Sequence, residues 1–105
     1  PRRATGTAPT HLVHDGRAYA IDERPLVLGT GADAPRQVKL RGQTAGISRA
    51  HCTLAREAGV VVMRDHSRYG CFVNGERVEA ETVLAAGDRL RLGTPGIVLE
   101  LVAAS

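Results

Sequence analysis

Aromatic residues are scarce in this chain. There is no tryptophan, and only Tyr19, Tyr69 and Phe72 carry rings. With no set of rings on which bases could stack, single-stranded nucleic acid is a poor fit. Lysine is scarcer still: Lys39 is alone among 14 basic residues, and the arginines are scattered rather than clustered. A net charge of +3 spread in this way argues against a nucleic-acid-binding stripe. No apolar run approaches the roughly 20 residues that a membrane-spanning helix needs. Two cysteines, Cys52 and Cys71, are too few for a disulfide framework. They read as reduced thiols of a cytoplasmic protein. No signal peptide is apparent. The sequence starts at Pro1 without Met, as expected of a piece of a longer polypeptide.

Short alternating segments are plentiful. At 105 residues the chain is long enough for one domain with one core. Residues 1–9 lack periodicity and read as a flexible arm or linker before a domain over 10–105. Asp15-Gly16 separates two short runs, and Asn74-Gly75 separates Cys71-Phe72-Val73 from Arg77-Val78. Both dipeptides are two-residue hairpin signals. Leu26–Leu28, Gln37–Leu40, His51–Arg56, Val60–Met63, Arg89–Leu92 and Ile97–Val102 read as further strands. The segment 78–86 is ambiguous, because Glu79, Ala80, Glu81, Leu84, Ala85 and Ala86 favour helix by propensity. Turns at roughly ten-residue spacing predict an all-β sandwich.

Three chemistries are open to this frame. His51, Cys52, His66 and Cys71 are metal-ligating residue types. His51 and Cys52 are neighbours on a predicted strand, however, and should point to opposite faces. No zinc site or other cofactor is expected. Ser48, His51 and Asp65 lack a nucleophile-elbow pattern, so no catalytic residue and no enzymatic activity are expected. Anion binding fits best. The loops 30–35, 41–48 and 65–70 carry Arg41, Arg49 and Arg68 with Ser48 and Ser67. Guanidinium forks and hydroxyls gathered at one edge would suit a phosphate.

Gly29, Ser48-Arg49-Ala50-His51 and Gly70-Cys71-Phe72-Val73-Asn74-Gly75 together resemble the forkhead-associated (FHA) domain. That family's pattern is an early Gly-Arg, a Ser-x-x-His and a distal Gly-Thr-Phe-Val-Asn-Gly. The resemblance runs through nearly the whole chain. It implies an antiparallel β-sandwich of about eleven strands that binds phosphothreonine peptides through loops at one edge, and extended chain rather than helix over 78–86. It implies a signalling or adaptor module whose partner is a protein phosphorylated by a Ser/Thr kinase, with no nucleic acid and no membrane involved.

Carried over by residue, Ser48 matches the phosphate-contacting serine, and Arg49 lies where a basic residue approaches the peptide. Gly29, His51, Asn74 and Gly75 match structural positions, with His51 bracing the loops. Two positions depart from the pattern. Thr30 stands where the family's main phosphate-binding arginine is expected. Arg68-Tyr69 stands where Thr-Asn is common, so that Tyr69 replaces the residue that grips the peptide backbone. Loss of one charge-assisted bond is worth about 1.5–3 kcal/mol, or roughly tenfold to a hundredfold in affinity. Phosphothreonine binding at reduced affinity is therefore expected, with Arg41, Arg49 or Arg68 reaching the phosphate. The alternative is a degenerate member that docks its partner without phosphate.

Overall fold

In the computed structural model, which describes residues 6–104, eleven strands form two sheets packed face to face. The strands are β1 (His11–His14), β2 (Arg17–Ala20), β3 (Leu26–Gly29), β4 (Gln37–Lys39), β5 (Cys52–Glu57) and β6 (Val60–Asp65). They continue with β7 (Cys71–Val73), β8 (Glu76–Arg77), β9 (Glu81–Leu84), β10 (Arg89–Leu92) and β11 (Ile97–Val102). One sheet has the order β2-β1-β11-β10-β7-β8 and the other β4-β3-β5-β6-β9. No helix occurs among the described residues.

The core is aliphatic, as the scarcity of aromatics requires. Leu12, Leu28, Leu54, Met63, Leu90, Leu92, Leu99 and Leu101 are fully buried and alternate with outward-facing neighbours. Phe72 stays on the outer face, where the Arg91 guanidinium stacks 4.0 Å from its ring centre.

Both predicted hairpins form. Asn74 and Gly75 have φ of 50° and 87°, the left-handed pair that a type I′ turn needs. Asn74 Nδ2–H donates to Asp88 at 2.9 Å, and its Oδ1 accepts the Arg89 amide at 2.9 Å. The turn is thereby fastened to the start of β10. The segment 78–86 holds no helix, in keeping with the resemblance, and its centre is the strand β9. Thr82 and Leu84 are buried, so packing in β9 overrides the helical propensity.

One feature differs from the sequence reading. The sandwich is not wholly antiparallel, because β3 and β4 pair in parallel, with Leu28 opposite Val38 and Gly29 opposite Lys39. Arg36 makes this pairing local. Its guanidinium donates to the Asp22 carboxylate and to the carbonyls of Arg24 and Ala20, pinning the start of β4 beside the start of β3. The expected arm over 1–9 lies partly outside the described residues. Within them, the Thr7 carbonyl accepts the Ala86 amide at 2.8 Å, and the Pro9 carbonyl accepts Arg56 at 3.0 Å. Ordered packing thus begins before residue 10.

Candidate binding site

Four loops meet at one end of the sandwich: 30–36, 40–51, 66–70 and 93–96. Backbone hydrogen bonds tie them together. The Thr30 amide donates to the Ser48 carbonyl at 3.2 Å, and the Gly31 amide to the Arg49 carbonyl at 3.3 Å. The Gly93 amide reaches the Gly70 carbonyl at 3.1 Å. Gly29 is required by this contact. A Cβ there would lie 1.9 Å from the Arg49 carbonyl oxygen, so any side chain would push the two loops apart. The loop 93–96 was read only as a turn, since it carries no charged residue and its position at this end follows from the β10–β11 pairing.

His51 is the brace. It is fully buried, and its Nδ1 accepts the Ser48 amide at 3.1 Å. Its Nε2–H then donates to the Gly70 carbonyl at 2.7 Å. One side chain thus links the 40–51 and 66–70 loops. Burial weighs against charging the ring, but the Cys71 thiol, the Gly70 carbonyl and the Asp65 carboxylate outweigh it and raise the His51 pKa above its ordinary value. The Ser48 amide decides the matter. A proton on Nδ1 would meet that N–H head-on, so the neutral Nε2–H tautomer fits.

Asp65 and Ser67 shape the next loop. Asp65 Oδ1 accepts the Ser67 amide at 2.9 Å and the Ser67 hydroxyl at 2.7 Å. The same hydroxyl accepts the Gly70 amide at 2.8 Å. Ser67 is spent on this turn and does not face a ligand. Arg68 and Tyr69 stand exposed at the loop tip, with no hydrogen bond or ion pair among the described residues.

The half-buried Ser48 hydroxyl has no hydrogen-bond partner among the described residues. Beside it, Arg49 is held in place. Its Nη2 and Nε donate to the Gly31 carbonyl at 3.1 and 3.3 Å, which draws the guanidinium across the loop that carries Thr30. A cation therefore sits against the Thr30–Gly31 turn although residue 30 is not basic. Ser48, Arg49 and Thr30 come together, and His51 ties their loop to the one that carries Arg68 and Tyr69 through the Gly70 carbonyl. Arg41 does not join them, but lines a separate cleft with His14, Arg17 and Lys39. The reason is register: Arg41 stands two residues past the end of β4 at the sheet edge, well before the loop turns inward at the buried Ile47.

The expectation that His51 and Cys52 face opposite ways is corrected. His51 precedes β5 instead of lying in it, and both residues are buried against Cys71. His51, Asp65 and Cys71 place their ligating atoms within 4.8 Å of one another. These donors do not suit a metal. Both His51 nitrogens are engaged by backbone, and Asp65 Oδ1 takes two bonds from Ser67 and a third from Cys71. The neighbouring Cys52 thiol and burial push the Cys71 pKa far up, which keeps its sulfur protonated and poorly nucleophilic.

The profile of the FHA domain matches residues 26–93. The FHA domain-containing protein FhaA of Mycobacterium tuberculosis is 33% identical over 101 residues, covering 93% of this chain and 18% of FhaA. The mouse StAR-related lipid transfer protein 9 is 37% identical over 76 residues, 71% of this chain and 2% of that protein. Among solved structures, the FhaA FHA domain complexed with the intracellular domain of Rv3910 superposes with a TM-score of 0.70 at 30% identity, covering 87% of this chain and 97% of that one. A structure from work on phosphothreonine-dependent FHA domain interactions superposes equally well, with a TM-score of 0.70 at 27% identity, covering 91% and 99%. The chain spans only a small part of the curated relatives it matches. Profile, relatives and superposed structures agree: the chain belongs to the FHA domain family.

Proposed function

We propose that this chain is a phosphothreonine-peptide-binding module of a longer signalling protein, in which Arg49 supplies the phosphate charge that residue 30 does not. It acts by binding and not by catalysis, on a protein partner phosphorylated on threonine, and in the cytoplasm. The observation that carries the reading is the unengaged Ser48 hydroxyl beside an Arg49 guanidinium anchored on the Gly31 carbonyl. A hydroxyl donor and a fixed fork of N–H donors suit a phosphate dianion. The likeness to a structure from a study of phosphothreonine-dependent interactions supports it, as does the likeness to an FHA domain bound to a protein partner. Arg49 spends two of its donors on Gly31, and Thr30 brings no charge, so affinity falls below that of a site with both arginines.

The test is an NMR titration with a phosphothreonine peptide library and its unphosphorylated counterpart. Amide shifts at 30–31, 48–49 and 68–69 with the phosphorylated peptides alone are expected. Equal shifts with both would favour the second reading, phosphate-independent docking, for which Thr30 is the motive. The Thr30→Arg variant restores a second fork at the rim, and its affinity should rise about tenfold to a hundredfold. No gain would mean that the loops do not present residue 30 to the phosphate.

A further inference from the structure

β2 and β4 are edge strands of opposite sheets. Between them runs an open cleft of about 640 Å³, lined by His14, Asp15, Arg17, Tyr19, Lys39 and Arg41 among others. Arg17, Lys39 and Arg41 bring three positive charges against the single carboxylate of Asp15, and all three are exposed. Among the described residues none of the three has an ion-pair partner. Arg17 lies over the Tyr19 ring, 5.7 Å from its centre, which keeps it at the cleft wall.

Scattered surface arginines are ordinarily solvated and inert. This group differs in being gathered in a concavity and in adjoining the phosphate loops. Lys39 lies opposite Gly29 in the parallel ladder. Its side chain runs along Gly31, with Cε 3.8 Å from where a Cβ would stand there. The carbonyl of that same Gly31 holds Arg49. A continuous basic path therefore leads from Arg49 past Gly31 and Lys39 into the cleft.

We infer that this cleft is a second subsite, which takes aspartate or glutamate side chains flanking the phosphothreonine on the same peptide. The inference rests on the phosphothreonine reading above. Its cation count suits two or three carboxylates at the rim of a peptide site. The bonds are exposed and salt-sensitive, so they tune affinity and partner choice more than they create binding.

The experiment compares three phosphothreonine peptides by fluorescence anisotropy: one with a neutral flank, one with three Glu on its N-terminal side and one with three Glu on its C-terminal side. One acidic peptide should bind the unmodified domain about tenfold more tightly than the neutral one at low salt, as two to three exposed ion pairs allow. That gain should shrink at high salt. Arg17→Glu should abolish most of the gain and leave the neutral peptide's affinity unchanged. Equal affinities for all three peptides, or a gain that survives Arg17→Glu, would overturn this inference while leaving the phosphothreonine reading intact. Failure of all three to bind would overturn both.

Discussion

Replacing His51 with alanine isolates the brace from the ligand contacts. The ring is fully buried and makes two backbone bonds, at 3.1 Å from the Ser48 amide and 2.7 Å to the Gly70 carbonyl. Alanine strands the Ser48 amide, and an unpaired buried donor costs about 1–3 kcal/mol. The Gly70 carbonyl loses less, because it keeps the Gly93 amide at 3.1 Å. Loss of imidazole volume from a closed site adds a cavity term, and the total comes to about 3–5 kcal/mol. That is a large share of the stability of a small domain, which is on the order of 5–15 kcal/mol. Urea denaturation followed by circular dichroism measures it, and hydrogen exchange at Ser48 reads the local effect. His51→Gln keeps an amide able to serve one of the two partners and should lose roughly half as much. By contrast Arg49→Ala removes an exposed side chain. It should change stability by less than about 1 kcal/mol while weakening phosphopeptide binding strongly. A loss below about 1 kcal/mol for His51→Ala, or unchanged protection of the Ser48 amide, would refute the brace.

Two further predictions concern the frame. Asp22 is held to a pKa of about 2, against an ordinary 3.8, chiefly by the side-chain hydrogen bond from Arg24 and then by the Arg24 amide, with Arg36 adding its charge. A depressed carboxyl stabilises the fold above its unfolded-state pKa and loses that contribution as pH falls towards the folded value. Acid titration of stability should therefore show a fall between about pH 4 and pH 2 that Asp22→Asn flattens; parallel curves for the two proteins would count against it. Ala58 has φ of 50° in the exposed hairpin turn with Gly59, a conformation costing an alanine about 1–2 kcal/mol. Asparagine tolerates it, so Ala58→Asn should raise the melting temperature by about 4–8 °C, and an unchanged value would contradict the strain.

Much of the frame was legible because its signals are local. Asp15-Gly16 and Asn74-Gly75 mark hairpins by their own torsional needs, and alternation in Arg89–Leu92 assigns a buried face without any partner strand. The Ser48-x-x-His51 motif pointed to His51 as a structural residue, and the ring is fully buried between two loops. Propensity left the segment 78–86 ambiguous and only the resemblance argued against helix; physically, a helical preference of a few tenths of a kcal/mol per residue yields to burial of Thr82 and Leu84. The facing of His51 and Cys52 was misjudged because strand alternation was applied to a residue that stands before the strand.

Sequence alone determined the two hairpins and the absence of a basic residue at position 30, because each is written within a few neighbouring residues, whereas the count of about eleven strands and the bracing role of His51 came through the resemblance to the family. Only the tertiary structure decided which cations stand at the site and which stand beside it. The parallel pairing of β3 with β4 sets Lys39 beside Gly29, leaves Arg41 at the sheet edge, and lets Arg49 fold back on Gly31. Those placements depend on register between strands joined by irregular loops, and no local pattern encodes such a register.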